Sequence, residues 1–314
     1  MKVLVYGAGV IGSIFALKLK KGGNDVTVFA RGKRLEQLRR YGIIINDVIL
    51  NQQFKTDIET TAELKPDDYY DLALVIMQRQ QVSEILPVLQ RNNKILSFIF
   101  IGNNVNGAEE YLRFIDKGRV MLGFGGPGGY REDHFVIAAY VNDYCVLYLG
   151  EVDGSVSSRV GKIRDVFNKS GIKVVVPEDM DVWLKSHAAL ISPLAMAGYV
   201  ARIKNKKIED DDRLLTLSIR ALRENFNALK EMGINILPGK LRVLRLIPTF
   251  ILKRKLKNLI ASEFGRVALA GHANSARNEM RKISEDFREL VKDVKTDMSA
   301  NDFLYESSFE KEAH

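Results

Sequence analysis

One cysteine, Cys145, stands in a chain of 314 residues, so no internal disulfide can form. Its place in the β-like run 144–149 marks a buried structural thiol rather than a nucleophile. The four histidines, His134, His187, His272 and His314, are scattered, with no Cys/His cluster at ligand spacing, so zinc or iron chemistry is not expected. No apolar run reaches the ~20 residues that span a bilayer. Met1 leads directly into an apolar run with no room for a signal peptide, and the expectation is a cytoplasmic protein. No internal repeat is visible, and the length exceeds the usual single core of roughly 100–200 residues.

The informative presence is at the start. An apolar run at 3–6 enters Gly7, Ala8, Gly9, Val10, Ile11 and Gly12, then a helix-like segment, then a second β-rich run at 26–29. A glycine fingerprint between a strand and a helix, inside a βαβ unit, has the pattern of a dinucleotide cradle. Gly7 permits the tight turn, Gly9 lets backbone approach a pyrophosphate, and Gly12 lets helix pack on strand. The helix N-terminus offers unpaired N–H groups to the phosphates. A cofactor-binding set of Gly7, Ala8, Gly9, Val10, Ile11 and Gly12 follows.

A site for NAD usually places a carboxylate at the end of the second strand to bind the ribose 2′-hydroxyl. Here Phe29, Ala30 and Arg31 stand there, followed by Lys33 and Arg34. A guanidinium can hold a 2′-phosphate through two charge-assisted hydrogen bonds, so NADP (as NADPH) is expected, with Arg31 as the reader. Lys33 and Arg34 have the competing reading of a solvated helix start.

Runs at 72–77 and 94–101 read as buried parallel strands around a helical segment carrying Val82, Ile85, Leu86 and Leu89. Further strands are expected at 119–124, 135–141, 144–149 and 172–176, the middle pair flanking Asn142 and Asp143 as a tight hairpin. After Pro177 the pattern is helical: 181–199, 214–232, a basic stretch from 240 to 264, and 266–294. Residues 295–314 lack a periodic apolar face and are expected to fray. The fold class is therefore α/β, a Rossmann-type sheet over residues 1–177 followed by an all-helical domain over 178–314, with a ligand cleft expected where the two meet.

The opening VLVYGAGVIGSIFA, the segment VFARG, the loop 101–107 (IGNNVNG) followed by Glu109 and Glu110, and Trp183-Leu184-Lys185 together resemble the ketopantoate reductase (2-dehydropantoate 2-reductase) family. The resemblance implies an NADPH-dependent reduction of ketopantoate or a related 2-oxo acid in pantothenate biosynthesis. It implies that Asn103 lies near nicotinamide and substrate, and that Lys185 is the catalytic acid. It also marks departures. Asn104 and Asn106 replace glycines of the family loop, and Gln78, followed by Arg79, stands where a lysine is common. The asparagines usual one and two turns after the lysine are missing, with Ser192 the nearest replacement for the second and His187 the only candidate for the first. The late Ser and Glu pair is matched loosely by Asn274 and Glu279.

The chemistry stands apart from the family. A ketone reduced by a nicotinamide needs a proton donor at the carbonyl oxygen, which a desolvated lysine supplies. Asn103 carries both a donor and an acceptor, although Asn-Asn after a strand is also ordinary turn chemistry. His187, two residues from Lys185, points about 200° away on a helix and reads as a packed or solvated side chain. Glu279, among Arg277, Arg281 and Lys282, reads as a solvated ion pair and is kept as a substrate-site candidate. Trp183 reads as a domain-interface anchor. The net charge of +8 concentrates in seven cations between Lys240 and Lys257 with no acid among them. Pro248 interrupts that stretch, and no nucleic-acid motif accompanies it. A solvated face near an anion-binding cleft accounts for it, with peripheral membrane contact through 240–257 as the competing reading. A small 2-oxo acid is the expected partner, a homodimer is compatible, and nucleic acid is not expected. The rival function is a non-catalytic or regulatory NADP-binding protein.

Overall fold

The computed structural model describes residues 1–139, 141, 145–267 and 276–310. The chain divides into two compact units, one of Met1–Gly102 and Gly107–Met180, the other of Asn103–Asn106 and Asp181–His314.

The first unit is built on β1 (Lys2–Tyr6), α1 (Val10–Lys21), β2 (Asp25–Phe29) and α2 (Gly32–Tyr41). β1 and β2 are buried after their first residue, as strands covered on both faces require, and their apolar runs are continuous rather than alternating. The sequence continues through β3 (Ile43–Asp47), β4 (Gln52–Thr56), β5 (Glu59–Thr61), β6 (Leu72–Val75), α3 (Val82–Arg91), β7 (Phe98–Ile101) and α4 (Glu109–Leu112). β8 (Val120–Gly125), β9 (Gly129–Glu132), β10 (Phe135–Ala138), β11 (Val146–Glu151), α5 (Ser158–Lys169) and β12 (Lys173–Val175) complete it. An eight-stranded sheet runs in the order β12-β11-β8-β7-β6-β1-β2-β5, parallel except where β11 meets β8. From β1 the chain steps outward to β2 on one side and later returns to β6 on the other. The strand order therefore reverses beside β1, where open α/β sheets bind ligands at the carboxyl ends of the strands.

The sheet topology corrects one expectation. The runs around 135–141 and 144–149 do not form a hairpin. β10 lies in a second, four-stranded sheet, β4-β3-β10-β9, while β11 pairs with β8 and β12 in the first. β3 and β9 occupy both edges of β10, leaving it no edge for β11. Asn142 and Asp143 lie outside the described residues.

The second unit comprises α6 (Met180–Ile203), α7 (Asp212–Glu231), a 3-10 turn at Gly239–Arg245, α8 (Thr249–Ala261), α9 (Arg277–Leu290) and α10 (Ser299–Tyr305). The basic stretch is thus two pieces broken at Pro248, which caps α8. The described part of the terminal segment, 295–310, is packed rather than frayed. Ala300, Leu304 and Phe309 are buried in the core made by α6, α7 and α9. Buried Glu224 accepts from the backbone N–H groups of Ala300 and Asn301, satisfying two donors that open α10.

Candidate functional site

Gly7 follows β1 with φ of +126°, a conformation that L side chains rarely adopt. A Cβ there would lie 2.0 Å from the carbonyl oxygen of Ile76, just past β6, so the turn occupies the reversal point with no room for a side chain. At Gly12 a Cβ would lie 1.9 Å from the Gly7 carbonyl oxygen, which fixes how closely α1 approaches the turn. Gly9 differs: a Cβ there would meet nothing within 4 Å. This glycine faces open space, as a residue over which a pyrophosphate passes should. Gly9 is the N-cap of α1, and the first turn holds no acidic residue, so the N–H groups of Val10, Ile11 and Gly12 meet no local carboxylate.

Arg31 is exposed directly after β2. Its guanidinium carbon lies 5.0 Å from the Phe29 ring centroid, and one nitrogen lies 3.5 Å from the Tyr6 hydroxyl. Tyr6 and Phe29 stack at 4.0 Å, which gives Arg31 a flat support. Burial raises the Tyr6 hydroxyl above its ordinary value, with Arg31 opposing. Lys33 is solvated and paired with Asp133 at 3.5 Å. Arg34, by contrast, is buried, a correction to its reading as a solvated helix start. It donates to the Ala8 carbonyl at 3.1 Å, to Ser13 Oγ at 3.0 Å and to the His134 carbonyl at 3.1 Å. These bonds tie the glycine turn and α1 to α2. Burial, helped by Arg131, pushes the guanidinium down to about 10. The donor set fits a dinucleotide: a glycine with free space above it, an acid-free helix start and a cation where the ribose of a bound cofactor would end. Gln78, after β6, accepts from Gln80 at 2.7 Å, and buried Arg79 pairs with Glu110 at 2.7 Å.

In the second unit Lys185 lies on α6 and pairs with Asp181 one turn earlier, its side chain only 12% exposed. The pair is not among the sequence expectations; its i, i+4 spacing is the signal that could have found it. Asp181 keeps its other carboxylate oxygen buried without a hydrogen-bond partner among the described residues. Two residues on, His187 stacks on Trp183 at 5.1 Å with planes 8° apart, a packed ring as its helical angle implies. Ser192 is buried on the same helix.

Asn103 and Glu279 are brought together. Both are buried, and Asn103 Nδ2 donates to Glu279 Oε1 at 3.5 Å, while Asn103 Oδ1 is buried with no hydrogen-bond partner among the described residues. Glu279 is therefore not the solvated ion pair that its charged neighbours suggest. The spacing of α9 turns Glu279, Met280, Ile283 and Phe287 inward. Tyr199 lies in the same core; burial raises its hydroxyl far above the usual range, with Arg277 opposing and Glu279 adding. Asn104 stays in its turn, accepting from the Asn106 N–H at 2.9 Å. Asn274 lies outside the described residues. Cys145 is buried and its thiol is pushed up to about 12 by burial, so it carries no thiolate chemistry near neutrality. Among the described residues there is no group of three or more His, Cys, Asp or Glu that could hold a metal ion, and no helix long and apolar enough to cross a membrane.

A glycine turn at the reversal point of a mainly parallel sheet, followed by a helical unit, defines a Rossmann-type nucleotide-binding fold with a helical C-terminal region. Residues 3–154 of the chain match the family model of ketopantoate reductase PanE/ApbA. A 2-dehydropantoate 2-reductase of Pyrococcus abyssi is 24% identical over 234 residues, covering 74% of this chain and 75% of the relative. Among solved structures, the PanE/ApbA family ketopantoate reductase from Ralstonia eutropha JMP134 superposes with a TM-score of 0.76 at 14% identity, over the full length of both chains. A D-mandelate dehydrogenase solved with NADH and anilino(oxo)acetate also gives 0.76 at 15% identity, over 100% of this chain and 98% of that one. These likenesses extend the fold beyond the matched segment to the whole chain.

Proposed function

We propose that the protein is an NADPH-dependent reductase of a small 2-oxo acid, ketopantoate being the first candidate. The observation that carries this reading is Lys185, an ammonium mostly withdrawn from water on a chain that also holds an intact dinucleotide turn. A bound nicotinamide would supply the hydride that a carbonyl carbon accepts. Lys185 donates the proton that the developing alkoxide requires, and its pairing with Asp181 fixes the rotamer from which it does so. Asn103, whose Oδ1 is buried and has no hydrogen-bond partner among the described residues, orients the reacting groups, with Glu279 holding its amide. Ser192 and Glu279 are the candidates for contact with substrate. Backbone N–H groups of Val10, Ile11 and Gly12 hold the pyrophosphate, Ala8 and Gln78 line the cofactor, and Arg31 binds the 2′-phosphate. The NADH in the mandelate dehydrogenase structure is that protein's cofactor; Arg31, in place of a carboxylate, supports NADPH here.

The test is a screen of 2-oxo acids, ketopantoate and phenylglyoxylate included, read as NADPH oxidation. Lys185→Ala should slow the best substrate by about 100-fold, the loss typical of a general acid, with NADPH affinity unchanged. An alanine variant as fast as the parent removes Lys185 from the acid role. NADPH binding with no carbonyl compound reduced favours the regulatory reading, which the missing asparagines after Lys185 already motivate.

A further inference from the structure

The sequence stretch 240–257 acquires a specific shape in the second unit. In the 3-10 turn, residues three apart eclipse, so Val243 and Leu246 share one side. They are 51% and 84% exposed, and Phe250, at the start of α8, is 70% exposed. The helical period sends Leu252, Leu256 and Ile260 inward and turns Phe250, Ile251, Arg254, Lys255 and Asn258 outward. The outward face is apolar at its first end and cationic along its length. Lys253 is paired with Asp212, whereas Arg254 and Lys255 make no hydrogen bond or ion pair among the described residues.

The apolar corner is held out by the fold. Arg223, from α7 behind it, donates to the carbonyls of Leu244 and Ile247 and to Thr249 Oγ1 at 2.9 Å. The corner's polar backbone is thereby satisfied from within while Leu246 and Phe250 project. A large aliphatic and a large aromatic side chain left in water cost free energy that burial would recover.

We propose that this face docks on an anionic lipid surface, with Leu246, Phe250 and Val243 entering the headgroup region and Arg254 and Lys255 meeting lipid phosphates. Charge complementarity selects the occupant. A second copy meeting this face through a two-fold axis would oppose cation to cation. Nucleic acid would match the charge but leave the leucine and phenylalanine unused. An anionic membrane satisfies both halves of the face, as interfacial amphipathic elements do.

Flotation of the full-length protein with phosphatidylcholine vesicles, alone or mixed with phosphatidylglycerol, tests this. Binding is expected to the mixed vesicles only, and to fall at least about tenfold on raising salt to about 1 M. Leu246→Ser with Phe250→Ser, at unchanged charge, should weaken it at least about tenfold, and Arg254→Gln with Lys255→Gln should do the same. All four side chains are exposed, so the melting curves should match the parent. Binding to neither vesicle, or equally to both, overturns the proposal. So does a serine variant that binds like the parent, since insertion would then be absent. Sedimentation showing a dimeric parent and a monomeric serine variant would assign the face to a second copy instead.

Discussion

Single residues decide the chemistry here by what they lack as much as by what they carry. Arg31 stands where a carboxylate would exclude a 2′-phosphate, and its guanidinium already rests against Phe29 and Tyr6, so little ordering remains to be done on binding. Arg31→Ala should therefore weaken NADPH binding by about tenfold, corresponding to the roughly 1.5 kcal/mol of an exposed charge-assisted hydrogen bond, and leave NADH within about twofold. Calorimetric titration with both cofactors checks this, and equal affinities in the parent would remove Arg31 from the role. Arg34, three residues on, does different work with the same group: buried against Ala8 and Ser13, it holds the glycine turn in place. Glu279 teaches the same lesson. Its sequence neighbours are cations, yet it turns into the core and takes Asn103 as its partner.

At the scale of elements, α6 carries Lys185 and also contains Pro193. A proline inside a helix has no N–H for the carbonyl four residues back, here that of Ala189, which is fully buried. Asn225 of α7 fills the gap, its Nδ2 donating to the Ala189 carbonyl at 3.1 Å, and Asn301 of α10 donates in turn to Asn225 Oδ1. Three helices are pinned by one side-chain amide. Asn225→Leu should cost about 3 kcal/mol, because it strands a buried carbonyl and a buried amide at about 1–3 kcal/mol each. Urea denaturation monitored by circular dichroism measures it; a change under about 0.5 kcal/mol, the range of an inert surface substitution, would show that the carbonyl finds another donor.

Across the whole molecule the balance is +8, and acidification adds to that self-repulsion. The carboxylate best placed to set acid stability is Glu151 of β11, which is 7% exposed. Burial alone would raise it, but hydrogen bonds from Arg159 and Ser157 outweigh burial and hold it below the ordinary glutamate value. A depressed carboxyl contributes stability above its unfolded value, near 4.3, and that contribution disappears as pH falls through the lower folded value. Arg159 also reaches the carbonyl of Val120 at 3.1 Å, so it joins α5, β11 and β8. Arg159→Met should therefore destabilise the first unit by about 3 kcal/mol near neutrality, as loss of one partner of a buried pair does. It should also move acid unfolding to higher pH, read by fluorescence across pH 2–6. An unshifted acid midpoint would show that Glu151 keeps its low value by other means.

Local pattern alone determined the nucleotide-binding half: continuous apolar runs make interior parallel strands, and glycine spacing makes the turn between β1 and α1, because both depend on residues adjacent in the chain. The same holds for the Lys185–Asp181 pair, one helical turn apart, and for the helical character after Pro177. What tertiary structure decided involves partners far apart in sequence. The second sheet joins β3 to β10 across about ninety residues. Asn103 meets Glu279 across 176 positions, and a terminal segment with no marked periodicity becomes core because α7 offers Glu224 to its first N–H groups. Periodicity reports which face of an element is apolar; it carries no record of which distant element will cover that face or satisfy its polar atoms, and those pairings set where the second unit's site residues lie.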